Sequence, residues 1–156
     1  MPSSDPIART PDGGDKLWFF GTLTSIRVGA DEHGDVCVAH QLLPGGLETP
    51  LHTQPEDFET FHVLDGEIEF LAGDTRFVAT AGATVHIPAG VSHGFRVLSD
   101  GAEMIDVTTA QHEAFFREAG VPAERHELPP PAEPDLGLLM PIAQQHKVEI
   151  MGPLPS

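Results

Sequence analysis

The chain has 156 residues, enough to bury one core and too few for two ordinary domains. Its 8 basic and 24 acidic side chains give a formal charge of −16, a field that repels phosphate backbones and anionic membrane surfaces and sets nucleic acid aside as a partner. The one cysteine, Cys37, excludes an intramolecular disulfide framework and a cysteine-based zinc cage, so any metal has to be held by nitrogen and oxygen.

Residues 1–16 are polar, rich in Pro and Gly and without an apolar leader segment, and they read as a flexible arm. No run is long enough to span a bilayer, so the expectation is a soluble cytoplasmic chain without membrane contact. From 17 to 110, short apolar or alternating runs separated by Gly, Asp and Pro predict one antiparallel all-β domain. The expected strands are 17–28, 35–43, 48–54, 58–64, 67–71, 75–80, 84–87, 92–97 and 102–108. Asp65-Gly66 and Gly73-Asp74 mark hairpin turns within this series, and short, evenly spaced strands with tight turns favour a barrel or jelly roll. Cys37 and the phenylalanines Phe58, Phe61, Phe70, Phe77 and Phe95 are read first as barrel packing. From 111 to 156 the character changes. Residues 111–119 predict a helix ending at Gly120, 129–134 an extended polyproline segment and 136–146 a second helix, an appendage expected to pack on the barrel or on a partner subunit.

Tyrosine is absent and the two lysines, Lys16 and Lys147, lie near the ends, so acid/base work falls to His, Glu or Asp. The informative stretch runs from Gly46 to Gly66. On a strand, residues two apart share a face, so His52 and Gln54 point the same way. Pro55-Glu56-Asp57 supplies a turn, after which Glu59 is expected to return on the neighbouring strand. A second stretch, from Gly82 through Pro88-Ala89-Gly90 to His93, brings a further imidazole. Such nitrogen and oxygen donors suit one divalent transition metal, Fe, Mn, Ni, Co, Cu or Zn.

These two stretches resemble the cupin superfamily, whose motifs are G-x5-H-x-H-x(3,4)-E-x6-G and G-x5-P-x-G-x2-H-x3-N. Gly46, His52, Glu59 and Gly66 match the first, and Gly82, Pro88, Gly90 and His93 the second. The resemblance implies a double-stranded β-helix barrel, commonly a homodimer, with a metal in the barrel mouth held by His52, Glu59 and His93 and by Gln54 as fourth ligand. Two positions depart from the motifs: Gln54 stands where the second histidine belongs, and Val97 where the final asparagine belongs. An amide oxygen is a weaker, neutral donor, and without it the set becomes two histidines and a carboxylate, the ligands of oxygen-activating iron.

Gly90-Val91-Ser92-His93-Gly94 also spells a hydrolase elbow, but β-like residues follow it where that motif needs a helix. His33, His62, His86, His112, His126 and His146 are read as surface or internally satisfied residues, and Arg27, Arg76 and Arg96 as solvent-facing. His40, if its strand turns it inward, is a proton carrier beside the metal and joins Glu59 as a candidate catalytic residue. Three functions for a small-molecule substrate remain open. The first is a quercetinase-like dioxygenase acting on an enolisable aromatic, in which Glu59 takes the substrate's proton. The second is a non-redox cyclase, isomerase or lyase of the polyketide-cyclase kind, with zinc. The third is a ligand-binding cupin without turnover.

Overall fold

The computed structural model describes residues 4–156. Two strands, Asp15–Phe19 (β1) and Thr22–Val28 (β2), occupy the run expected as a single strand, because Phe20 and Gly21 take positive φ of 48° and 78° and reverse the chain. A helical turn, Ala30–His33 (α1), leads to Val36–Pro44 (β3). Leu51–Thr53 (β4), Glu59–Asp65 (β5), Ile68–Ala72 (β6), Thr75–Ala79 (β7), Thr84–Ile87 (β8), His93–Val97 (β9) and Gly101–Thr109 (β10) complete the barrel. Then come Ala110–Ala119 (α2), Val121–Pro122 (β11), Leu136–Gln145 (α3) and Glu149–Gly152 (β12).

All strands pair antiparallel in two sheets, ordered β11-β1-β2-β3-β10-β5-β8 and β12-β4-β9-β6-β7. The fold is all-β with a small helical C-terminal part, consistent with a jelly roll. The period-2 pattern shows the physics most plainly in the pair β3 and β10, which run in register from Val36 opposite Thr109 to Pro44 opposite Gly101. Cys37, Ala39, Gln41 and Leu43 of β3 point inward with Ala102, Met104, Asp106 and Thr108 of β10, while the alternate residues face out.

The interior holds two apolar clusters. One, between the sheets, contains Leu43, Phe61, Phe70, Phe95 and Met104; the other, under the two helices, contains Leu17, Ile26, Phe115, Phe116 and Val148. Phe77 is not packing: it is 41% exposed on β7, the outer strand of its sheet. Helix α2 is capped by Thr109, whose Oγ1 accepts from the His112 N–H, and α3 by Asp135, whose carboxylate accepts from the Leu138 N–H. After α3 the chain returns as β12 and pairs with β4, Ile150 opposite His52, so the C-terminal segment adds the outer strand to one of the sheets. No helix among the described residues is long and apolar enough to cross a membrane.

Candidate metal centre

His52 on β4 and His93 on β9 are direct register partners, their ring centroids 4.3 Å apart. Each ring is held the same way. The Nδ1–H donates to the carbonyl two residues earlier, Pro50 at 2.8 Å for His52 and Val91 at 2.9 Å for His93, which leaves both Nε2 lone pairs free for a ligand. Glu59 opens β5, which belongs to the facing sheet and is not the neighbour of β4 as the spacing suggested. The convergence therefore runs across the barrel interior: Glu59 Oε1 lies 3.4 Å from His93 Nε2, and one donor atom from each of His52, Glu59 and His93 falls within 4.8 Å of the others.

Gln54 is 1% exposed and close enough to modulate both His52 and Glu59. Its Oε1 has no hydrogen-bond partner, and its amide nitrogen lies 3.5 Å from the Asp57 carbonyl. A buried amide oxygen left unpaired costs about 1–3 kcal/mol, so the side chain fits the place of a neutral oxygen donor to a cation.

Burial sets the protonation of the cluster. It pushes the His52 imidazole down to about 4, with the nearby His93 adding to the effect, and it lowers His93 as well. Both rings are neutral donors at pH 7. Burial raises the Glu59 carboxyl against the hydrogen bonds of Asp106 and Gln54. It raises the Asp106 carboxyl of neighbouring β10 well above the ordinary range, helped by the charge of Glu59. Two adjacent carboxyls in an apolar interior favour keeping a proton. An ion that needs a carboxylate displaces that proton.

A cavity between the two apolar clusters opens onto this group. Its walls include Phe19, Phe20, Phe61, Phe95, Phe115 and Phe116, and Ile150 of β12 closes one side. Among the described residues that line it there is no lysine or arginine. Its polar members include His52, Glu59, His93, Asp106, His112 and Gln41.

Two expectations need correction. His40 does not face the centre; it lies on the outer face of β3, with Nε2 3.0 Å from a carboxylate oxygen of Glu103, and the β3 residue that reaches the cavity is its neighbour Gln41. A strand can present only one of two successive residues inward, and the alternation set by Cys37, Ala39 and Leu43 selects Gln41. His112 is neither a surface residue nor internally satisfied. It is 3% exposed in the cavity wall, its Nε2 is 3.7 Å from Glu59 Oε1, its Nδ1 has no partner, and burial pushes its imidazole down to about 3. The other residue missed is Asp106, an acid at the inward parity of an apolar strand, between Met104 and Thr108. That parity was the signal available for it.

A family model described as a cupin domain matches residues 39–108, a span that contains the whole cluster. The chain is 26% identical over 125 residues to a quercetin 2,3-dioxygenase of Bacillus subtilis (strain 168), an alignment covering 79% of this chain and 37% of that relative's length. Among solved structures, an RmlC-like cupin from Shewanella frigidimarina aligns with a TM-score of 0.61 at 20% identity over 74% of this chain and 99% of that one. The polyketide cyclase RemF of Streptomyces resistomycificus aligns at 0.57 and 17% identity over 67% and 80%. These structural likenesses speak to the fold. The chain thus carries a cupin domain over residues 39–108, in a fold shared with solved cupin structures.

Proposed function

We propose that this cupin-domain protein is a metal-dependent enzyme acting on a small, uncharged, enolisable aromatic substrate, with a quercetinase-like dioxygenase as the first reading. The observation that carries it is the cavity: aromatic and aliphatic walls, no cationic side chain among the described lining residues, and two imidazoles with a carboxylate at its polar end. A substrate carrying a carboxylate or phosphate would find no cationic side chain there, and no counter-charge other than the ion itself. The sequence similarity to a quercetin 2,3-dioxygenase supports the same class.

His52, Glu59 and His93, with Gln54 beside them, would hold the ion. An ion bound there supplies Lewis acidity toward a substrate oxygen and, if redox-active, one-electron chemistry. The chain's own groups do the rest. Glu59 accepts the proton of the substrate's hydroxyl, and Asp106, the neighbouring buried carboxyl whose charge acts on it, gives that proton a second resting place. The phenylalanine walls exclude water and stack on a flat ring.

A non-redox cyclase or lyase is the second reading, favoured by that same carboxyl pair, which can move a proton without any oxidant. Oxygen uptake by metal-loaded protein with a flavonol decides between them. Consumption of oxygen matched to loss of the flavonol is the expected result. Equal turnover without oxygen would replace the first reading by the second, and binding without turnover would leave a ligand-binding cupin.

A further inference from the structure

We propose that Phe20, at the tip of the β1–β2 turn, is the side chain that selects a flat aromatic substrate, held in a strained backbone conformation so that its ring lies in the cavity wall and not in the core. The inference rests on the aromatic-substrate reading given above and names the specificity-determining residue within it.

Phe19 pairs with Thr22, so Phe20 and Gly21 form a two-residue hairpin loop, and their φ angles of 48° and 78° are both positive. A loop with φ above zero at both central positions is the one that Asn-Gly or Gly-Gly satisfies without strain. Gly21 conforms to that rule. Phe20 breaks it, because the backbone crowds the Cβ of a bulky residue in the left-handed region. Turn chemistry alone favours asparagine or glycine at this position.

Core packing does not offset the strain. Phe61, Phe95, Phe115 and Phe116 of the cavity wall are buried and belong to the two apolar clusters, and Phe19 packs against one of them. Phe20 is half-buried and is a member of neither cluster. Its ring stands 6.5 Å from that of Phe19, tilted by 46°, and what it does reach is the cavity. A half-open aromatic face in the wall of an apolar cavity is a surface on which a flat ring can stack.

Both flanks of the turn impose the conformation. On one side the Phe19 ring packs on α2, with centroids 5.5 Å from Phe115 and 5.0 Å from Phe116. On the other, the Thr22 hydroxyl donates to the Phe19 carbonyl at 2.6 Å, closing the loop. The Thr22 oxygen lies 2.7 Å from that of Thr24, which accepts from Gln41 Nε2 at 3.1 Å. All three of these polar residues are buried, and Thr22 and Gln41 line the same cavity as Phe20. A strained residue persists where its surroundings fix it on every side, and such positions collect at ligand clamps.

Two substitutions separate a ring kept for a ligand from a ring kept for the fold. Phe20→Asn suits the turn and removes the ring, while Phe20→Tyr keeps both the ring and the strain. Quercetin, a flavonol, is titrated calorimetrically into the zinc-loaded, desalted full chain, and melting temperatures are measured on the metal-free proteins. Phe20→Asn is expected to bind quercetin at least about 5-fold more weakly than the wild type while melting at the same temperature or higher. Phe20→Tyr is expected to match the wild type within about 2-fold in affinity. Wild-type affinity in Phe20→Asn would overturn the role of Phe20 and leave the aromatic-substrate reading standing. A lower melting temperature in Phe20→Asn would also overturn it, since the ring would then be serving the fold. Failure of the wild-type chain to bind quercetin would remove the aromatic-substrate reading and this inference with it.

Discussion

Glu59→Gln is expected to abolish turnover and to weaken divalent metal binding by roughly two orders of magnitude or more, measured by chelator competition. Glu59 is the one carboxylate of the trio, and the amide that replaces it keeps the shape and loses the charge that, in the proposed function, attracts the ion and accepts the substrate's proton. The same change should help the metal-free fold. Burial raises the Glu59 and Asp106 carboxyls, so above the ordinary value of 4.5 for a glutamate the folded state holds protons that the unfolded chain has released. Stability contributed by these groups is therefore lost as pH rises through that window. The melting temperature of metal-free Glu59→Gln should exceed that of the wild type, with a gap that widens as pH rises above the ordinary glutamate value of 4.5. An active variant would remove Glu59 from the chemistry, and a gap independent of pH would remove the retained proton.

Gly66→Ala is expected to be the most damaging substitution among the motif glycines. Gly46, Gly66, Gly82 and Gly90 all have φ between +79° and +93°, the left-handed region. At Gly66 a methyl group would also meet the Gly101 carbonyl oxygen at 2.6 Å and the Ala102 Cα at 2.9 Å, both backbone atoms of β10 or its entry. At Gly82 there is nothing within 4 Å. Gly82→Ala should thus cost only the backbone strain, about 1–2 kcal/mol. Gly66→Ala adds displacement of the strand that carries Asp106 and should cost more than about 3 kcal/mol, a fall in melting temperature of roughly 6 °C or more. Equal melting temperatures for the two variants would show that the close approach at Gly66 relaxes freely.

The two motifs made His52, Glu59, His93 and the barrel legible because their spacing encodes local geometry: a strand, a turn with φ above zero, a strand. Which sheet a strand joins is a long-range matter, so Glu59 was expected beside His52 when it in fact faces it across the interior. His40 was ambiguous because its strand alternates, and only the packing of Cys37, Ala39 and Leu43 decides which parity is inward. The hairpin inside 17–28 carried a weak signal, since a phenylalanine rarely accepts φ of 48°, yet Phe20 does so in the cavity wall. His112 sits three and four residues before Phe115 and Phe116, the spacing of one helical face, and that apolar stripe was the sign that it points inward. Its meeting with Glu59 depends on how α2 docks, which no local pattern records.

The claim on which the rest depends is that a divalent ion sits between the two sheets. Anomalous diffraction from crystals of the metal-loaded protein, collected at the absorption edge of the added metal, tests it directly. One peak about 2.0–2.3 Å from His52 Nε2, His93 Nε2 and a Glu59 carboxylate oxygen is the predicted result. A metal-loaded crystal with no peak there, or with its peak on surface carboxylates, would contradict it.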